Sequence, residues 1–512
     1  MWSGVECDEM TGHVIGLDLG NSFLYGSIDS NSTLFDLLHL QRLNLSNNHF
    51  NYSRIPTAIG RLSMLTYLNL ASSKFIGQIP SQLSQLSKLS NLYLCNNPLQ
   101  LKKPDLESLI SNFTFLEVLC LSQVDISSTV PKSLANFSSL THLGLRDCKL
   151  KGEFPIIIFQ LPNLQLLTVR FNKDLSGRLP PVLNQNNSLK SLLLSGTSFY
   201  GEIPFEKLAS LRELDAHNCN FSGVIPSLIG KLNQLTSLDL SENNFVGEIP
   251  SSLGNLTQLT MLSLFSNHFS GPIPLSFSKL INLETLNLHN NDLRDSVDFD
   301  IFVGLKNLSF LDLQENYNLS VIVVNPGINE TFPQFKVLGL SNCNLKKIPG
   351  FLRHQKRMEA LFLSKNHIGG PIPEWLFSIS KETLNSLSLY KNSLIGELSH
   401  RICNFSSLEF LDISHNKLVG KLPRCLGNFS KSMLRLHLRG NYFSGNIPNF
   451  MKGNQLELID LGYNRFEGNL SKSLSNCKML GYLNVESNKL NDVFPYWLGT
   501  LPELEILVLR AN

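Results

Sequence analysis

A phrase of about 24 residues recurs almost without pause from Val14 to the last residue. One clean copy reads Leu235-x-x-Leu238-x-Leu240-x-x-Asn243-x-Phe245-x-Gly247-x-Ile249-Pro250-x-x-Leu253-x-x-Leu256-x-x-Leu259. The next copy begins at that same Leu259. It keeps the frame through Leu262, Leu264, Asn267, Phe269, Gly271, Ile273, Pro274, Phe277 and Leu280. Roughly twenty-one copies fill the chain. A sequence written this way cannot wrap around one central core. No single copy can bury its leucines alone, so the copies must stack and shield one another.

Each position of the phrase has a physical job. Leu238-x-Leu240 alternates, which predicts a short strand with both leucines turned inward. Strands of successive copies then pair about 4.8 Å apart. Asn243 sits where the chain must turn, and its amide can bond backbone groups of the adjacent coil. Gly247 accepts a backbone conformation that other residues resist. Pro250 fixes its own φ and biases Ile249 away from helix. Leu253 and Leu256 face the core from a short outer helical turn. The expectation is an α/β leucine-rich repeat solenoid, a curved right-handed superhelix with one concave parallel sheet. In this register Leu240 is core and Ser241 faces water, so an aspartate is ruinous at the first and harmless at the second.

The bounds set by composition agree. Of 512 residues, 42% are hydrophobic and 16% charged, too apolar for disorder. A net charge of +2 with no basic stripe argues against nucleic acid. No run of about 18 apolar residues offers a membrane span, and Met1-Trp2-Ser3-Gly4 does not read as a secretory signal. Phosphate-loop, zinc-protease and paired Cys-x-x-Cys motifs are missing, so no catalytic residue, cofactor or metal is expected. Asp215, Asp239, Asp312, Asp412 and Asp460 fall between paired leucines. They follow the repeat frame on partly non-adjacent coils, which gives no ground for raised pKa values.

Four segments follow. Residues 1–13 read as the remnant of an N-terminal cap, 14–291 as regular repeats, 292–334 as an irregular stretch, and 335–512 as repeats with the last cut off. Leu99–Phe115 also breaks the period. Both irregular stretches read as longer outer loops; the alternative is a separate binding insertion. The second contains the inserted-looking run 321–331.

Sequons stand at Asn31, Asn44, Asn51, Asn112, Asn136, Asn186, Asn220, Asn255, Asn307, Asn318, Asn329, Asn404, Asn428 and Asn469. Many fall on outer, non-strand positions, the pattern of a glycosylated ectodomain. Asn44, between Leu43 and Leu45, would put its glycan on the strand face. Cys148, Cys219 and Cys343 occupy the turn slot of Asn243 and read as buried structural thiols. Cys95 and Cys120 are strand-face positions beside inward leucines. Cys403 and Cys425 lie on the outer side of consecutive repeats, where a bridge is possible. Cys477 has no obvious partner, and that of Cys7 is expected upstream of Met1.

The Trp2-x-Gly4-Val5-x-Cys7 opening, followed by Leu-x-Gly-x-Ile-Pro repeats, resembles plant extracellular leucine-rich repeats. Longer stretches resemble the plant receptor-like proteins, the group containing the tomato leaf-mould and Verticillium resistance receptors. These are 338–345 with 348–353, 370–376, 423–430 and 494–504. The resemblance implies a plant-type solenoid on the extracellular side of the plasma membrane. It also implies a membrane-anchored parent without a kinase, signalling through a partner receptor kinase. On this reading the chain is truncated at both ends.

Function is then expected on the strand face. The position just past each leucine pair forms a column whose arginines and aromatics are candidate interface anchors. Arg146, Arg170 and Phe171 make one group, with His217 next in the column; Phe265 and His289 make a second. Phe362, Tyr390, His437, Arg439 and Tyr463 make a third. Three functions compete. One is an immune-receptor ectodomain that binds an extracellular peptide or protein. Another is a secreted inhibitor of a microbial polygalacturonase-type hydrolase. The last is the ectodomain of a receptor kinase.

Overall fold

Leu238 and Leu240 are fully buried and flank the exposed-side residue Asp239 in the strand Ser237–Asp239. The same three-residue strand marks every coil of the computed structural model, which describes residues 3–181, 188–323, 332–428, 432–451 and 455–512. The chain forms two compact units, Met1–Leu259 and Thr260–Asn512. In the first, parallel strands run from Val14–Asp18 to Ser237–Asp239, and Val5–Cys7 pairs antiparallel with the first of them. In the second they run from Met261–Ser263 to Ile506–Val508. Registers are strict. Leu43 faces Leu68, which faces Leu92, and in the second unit Leu286 faces Leu311 and then Leu338. Leucine therefore stacks on leucine, and each coil's apolar stripe is dried by its neighbours.

The turn slot is a hydrogen-bond relay. Asn172 Nδ2 donates to the carbonyls of Leu145 (2.8 Å), Val169 (2.8 Å) and Arg170 (3.2 Å). Its Oδ1 accepts from the amides of Cys148 (3.0 Å) and Leu150 (2.9 Å). One buried amide thus satisfies backbone groups on two coils that water cannot reach. Cys148 does the donor half with a thiol, to Leu121 O at 3.1 Å. Burial pushes that thiol up to about 12, so it keeps its proton. Cys219 and Cys343 sit buried in the same slot, and Ser73 Oγ serves it too, donating to Leu45 O at 2.8 Å.

After the turn the chain runs through a second, shorter ladder of strands such as Asn244–Glu248. Gly247 lies there at φ +82°, where a Cβ would come within 3.1 Å of Val224 Cγ1. Phe245 is fully buried beneath this ladder. Pro250 then leads into the 3-10 helix Ser251–Asn255, which buries Leu253, and the turn that follows buries Leu256.

The irregular stretches are more ordered than bare loops. In the first, Asp105 Oδ1 accepts from Ser108 N (2.9 Å) and caps Leu106–Ile110, the one α-helix among the described residues. Its buried Leu106, Leu109 and Ile110 replace the missing Ile-Pro segment. In the second, Asp292–Asp298 pairs with Asn318–Ile322 over five residues. Phe299 stacks on Phe351 (4.9 Å between centroids) and meets Phe302 at 5.3 Å. Residues 324–331, most of the inserted-looking run, lie outside the described residues.

Cys403 and Cys425 form a disulfide (Cα–Cα 6.1 Å) between consecutive outer 3-10 helices. A second disulfide was not anticipated: Cys95 and Cys120 are joined, with Cα atoms 5.5 Å apart. They occupy different offsets of the phrase, which hides the pairing. Tyr93 is in register with Cys120, and Cys95 is two residues on, hence on the same side of the strand. Cys477 is buried and Cys7 exposed.

Candidate functional site

Side chains between and just past the paired leucines point away from the core. This face is narrow, with one strand every ~4.8 Å, so short residues vanish beneath long ones. Ser241 does not face water as the pattern suggested. It is 0% exposed, bonded to the Asp239 carboxylate and 2.9 Å from His217 Nδ1. Ser195, Ser341, Ser364 and Ser414 are buried likewise. An aspartate at 241 would meet the Asp239 charge, so the expected neutrality of Ser241→Asp does not hold.

What remains exposed on the face is aromatic and charged. In the first unit Arg146 lies over the Phe171 ring at 5.0 Å, and Phe171 is 51% exposed. Arg170 turns from them to Asp215 and to Glu213 (3.9 Å). His217, half-buried, belongs to the Ser241–Asp239 contact instead. A further group went unnoticed in the sequence. Arg42 lies over Tyr67 at 5.3 Å, and Tyr67 meets Tyr93 at 5.7 Å. Tyr93 stands between Leu92 and Leu94, while Arg42 and Tyr67 precede their first leucines. None of the three falls in the column just past the leucine pair.

In the second unit Phe265 and His289 stand half-buried on successive coils. His289 Nδ1 lies 3.9 Å from Asp312 Oδ1. The expected third group divides into pairs. Tyr390 meets His415 edge-on at 5.5 Å, and His437 meets Phe410 at 5.6 Å. Arg439 lies over Tyr463 at 4.5 Å, and Tyr463 is 46% exposed. Arg439 also bonds Glu486 at 2.7 Å, and Arg510 bonds the same buried carboxylate. Phe362 is half-buried in register with Ser388. His415, Phe410 and Glu486 were not among the expected anchors; each becomes visible only when cross-coil neighbours are known.

The acidic column corrects another expectation. Burial raises the carboxyls of Asp239, Asp312 and Asp460 above their usual range, and Asp215 and Asp239 are in register on adjacent coils. Asp312 thus holds a proton in the folded chain at pH values where the unfolded chain, near 3.8, has lost it. Its contribution to stability falls as pH rises through that window. Asp312→Asn, which can still accept from Gln314 N (3.0 Å), should gain on wild type as pH rises. The melting-temperature difference, variant minus wild type, is expected to grow between about pH 4 and about pH 7.5. A constant or shrinking difference contradicts the assignment.

The outer surface carries the sequons. Asn31, Asn51, Asn112, Asn136, Asn220, Asn255, Asn307, Asn318, Asn404 and Asn469 are exposed. Asn186, Asn329 and the side chain of Asn428 lie outside the described residues. Asn44 is half-buried, and the nitrogen that a glycan would need donates to Asp18 Oδ1 at 2.8 Å. Among the described residues, no helix is long and apolar enough to cross a membrane.

Known proteins share this architecture. Leucine-rich repeat family models match residues 209–269, 39–62 and 407–429. Receptor-like protein 6 of Arabidopsis thaliana is 35% identical over 88% of this chain and 58% of its own length. Receptor-like protein 39 of the same plant is 34% identical over 100% of this chain and 62% of its own. The chain therefore spans about three fifths of these curated relatives. The Arabidopsis receptor kinase HAESA, solved with the peptide hormone IDA and the co-receptor SERK1, superposes with a TM-score of 0.70. It is 25% identical, covering 99% of this chain and 93% of the solved one. Its repeats, its ladders and these comparisons make the chain a leucine-rich repeat protein that is similar over most of its length to the plant receptor-like proteins.

Proposed function

We propose that this chain is the ligand-recognising part of a plant cell-surface receptor. It binds an extracellular peptide or protein on its strand face and has no catalytic role of its own. Pathogen defence, signalled through a partner receptor kinase, is the setting that the resemblance to the resistance receptor-like proteins implies. The solved receptor with a peptide hormone and a co-receptor supports the same mode of action. The observation that carries the reading is the set of exposed arginine–aromatic pairs, Arg146 with Phe171 and Arg439 with Tyr463. Arginines and aromatics spaced on a rigid sheet are good anchors, since little side-chain freedom is lost on binding. The exposed sequons would carry glycans on the outer surface, leaving the strand face open.

Alanine at Phe265, His289, Tyr390 or Arg439 should weaken binding by ~1–3 kcal/mol each. The exposed outer residue Gln258 provides the control, and Gln258→Ala should leave affinity unchanged. Binding of the cognate extracellular extract fraction to each purified variant, by surface plasmon resonance, reads both. Equal effects at the two surfaces would refute the assignment.

A further inference from the structure

The second ladder of the Thr260–Asn512 unit has a gap. Its strands end at Asn318–Ile322 and resume at Gly369–Pro371. The coil between them, which starts with the strand Val337–Gly339, contributes none. The sequence explains why. From Cys343 to Ile348 the phrase is one residue shorter than from Asn243 to Ile249, and Lys347 stands where the left-handed glycine belongs. The backbone spans the gap sparsely, through Val321 N to Cys343 O (2.9 Å), His367 N to Leu345 O (2.9 Å) and Gly369 N to Lys346 O (3.3 Å).

The gap is a groove of about 1000 Å³. Part of its wall is apolar, from Ile322, Ile348 and Trp375. The rest is cationic. Lys346, Lys347 and Arg353 are exposed, and Arg353 lies over the Trp375 ring at 5.4 Å. No carboxylate lines the groove among the described residues, and none of the three cations is in an ion pair there. The adjacent Glu374 is held by Arg401 (3.3 Å) and Ser399 (3.0 Å). Lys356 and Arg357 follow, so residues 346–357 contain five Lys or Arg and no Asp or Glu. In a chain of 43 basic and 41 acidic residues, the near-neutral total hides this local excess, and the expectation of no basic stripe does not hold here.

We propose that this groove is a second docking site, separate from the strand face, for an acidic, extended peptide segment of a partner protein. Two features argue for that occupant. Cations without counter-ions in a partly apolar cleft favour an anionic segment that also carries apolar side chains. The arginine-backed tryptophan offers a stacking surface for one of them. The site does not depend on the strand-face reading, and either can fail alone.

The test is selection of a phage-displayed library of random peptides, about ten residues long, on the full chain. Selected peptides should carry at least two Asp or Glu beside an apolar residue. The triple variant K346E/K347E/R353E should lower their affinity by about tenfold or more, and Trp375→Ala should lower it severalfold. The three cations are on the surface, so the triple variant should keep the wild-type melting temperature. Arg439→Ala, on the strand face, should leave the affinity of these groove-selected peptides unchanged. Peptides without acidic enrichment, or peptides that bind the triple variant equally well, overturn the proposal. So does binding of polygalacturonate in place of any peptide. Binding that appears only after residues 324–331 are replaced by a Gly-Ser linker also overturns it, because the chain would then fill its own groove.

Discussion

Leu240→Asp is expected to cost the Met1–Leu259 unit at least ~3 kcal/mol, from an unpaired charge in a dry leucine stack. Leu240 has no exposed surface, and neither has Leu238 on its own coil nor Ala216 at the same position of the coil before. A carboxylate there finds no cation, so the coil must open or the group must take up a proton. Val246, on the second ladder and 44% exposed, gives the contrast. Val246→Asp should stay within about 0.5 kcal/mol of wild type. Urea unfolding of the two variants separates the outcomes. Similar midpoints would mean that the strand register is wrong.

Asn172→Leu should be nearly as damaging, by more than about 3 kcal/mol, though leucine is apolar and of similar size. The loss strands the carbonyls of Leu145 and Val169 and the amides of Cys148 and Leu150, on two coils and all buried in the turn, whereas Arg170 O keeps Asp147 N. Each buried group left unpaired costs roughly 1–3 kcal/mol. Asn172→Cys should be milder, because Cys148 shows a thiol performing the donor half in this slot. Thermal unfolding should therefore rank wild type above the cysteine variant and that above the leucine variant. A cysteine variant no better than the leucine one would show that the accepting half carries the relay.

The fold was legible because the phrase encodes each turn of the coil locally. Leu238 and Leu240 fix the strand, Asn243 the turn, Gly247 the positive φ and Pro250 the outer helix. The thiols in the Asn slot were legible for the same reason. What escaped was whatever depends on which residues become neighbours across coils. The Cys95–Cys120 bridge joins two different offsets of the phrase. Ser241 is hidden by Asp239 from its own strand and by His217 from the coil before. The Asp239, Asp312 and Asp460 carboxyls are shifted by the same crowding. The strand-face anchors were only partly visible, since the grouping of Arg42, Tyr67 and Tyr93 depends on which residues meet across coils. The groove arises from one missing residue and one missing glycine, a departure that periodicity conceals.

The central claim is that recognition lives on the strand face. It is tested most directly by exchanging surfaces between the full-length protein and a non-responding relative, with ligand-triggered signalling in leaf tissue as the readout. One chimera carries only the exposed strand-face side chains, among them Arg146, Phe171, Phe265, His289, Tyr390, Arg439 and Tyr463. The other carries only the outer 3-10 helices and the 292–334 stretch. The account predicts that responsiveness travels with the first chimera and is absent from the second. Responsiveness that travels with the outer helices, or with 292–334 alone, would contradict it.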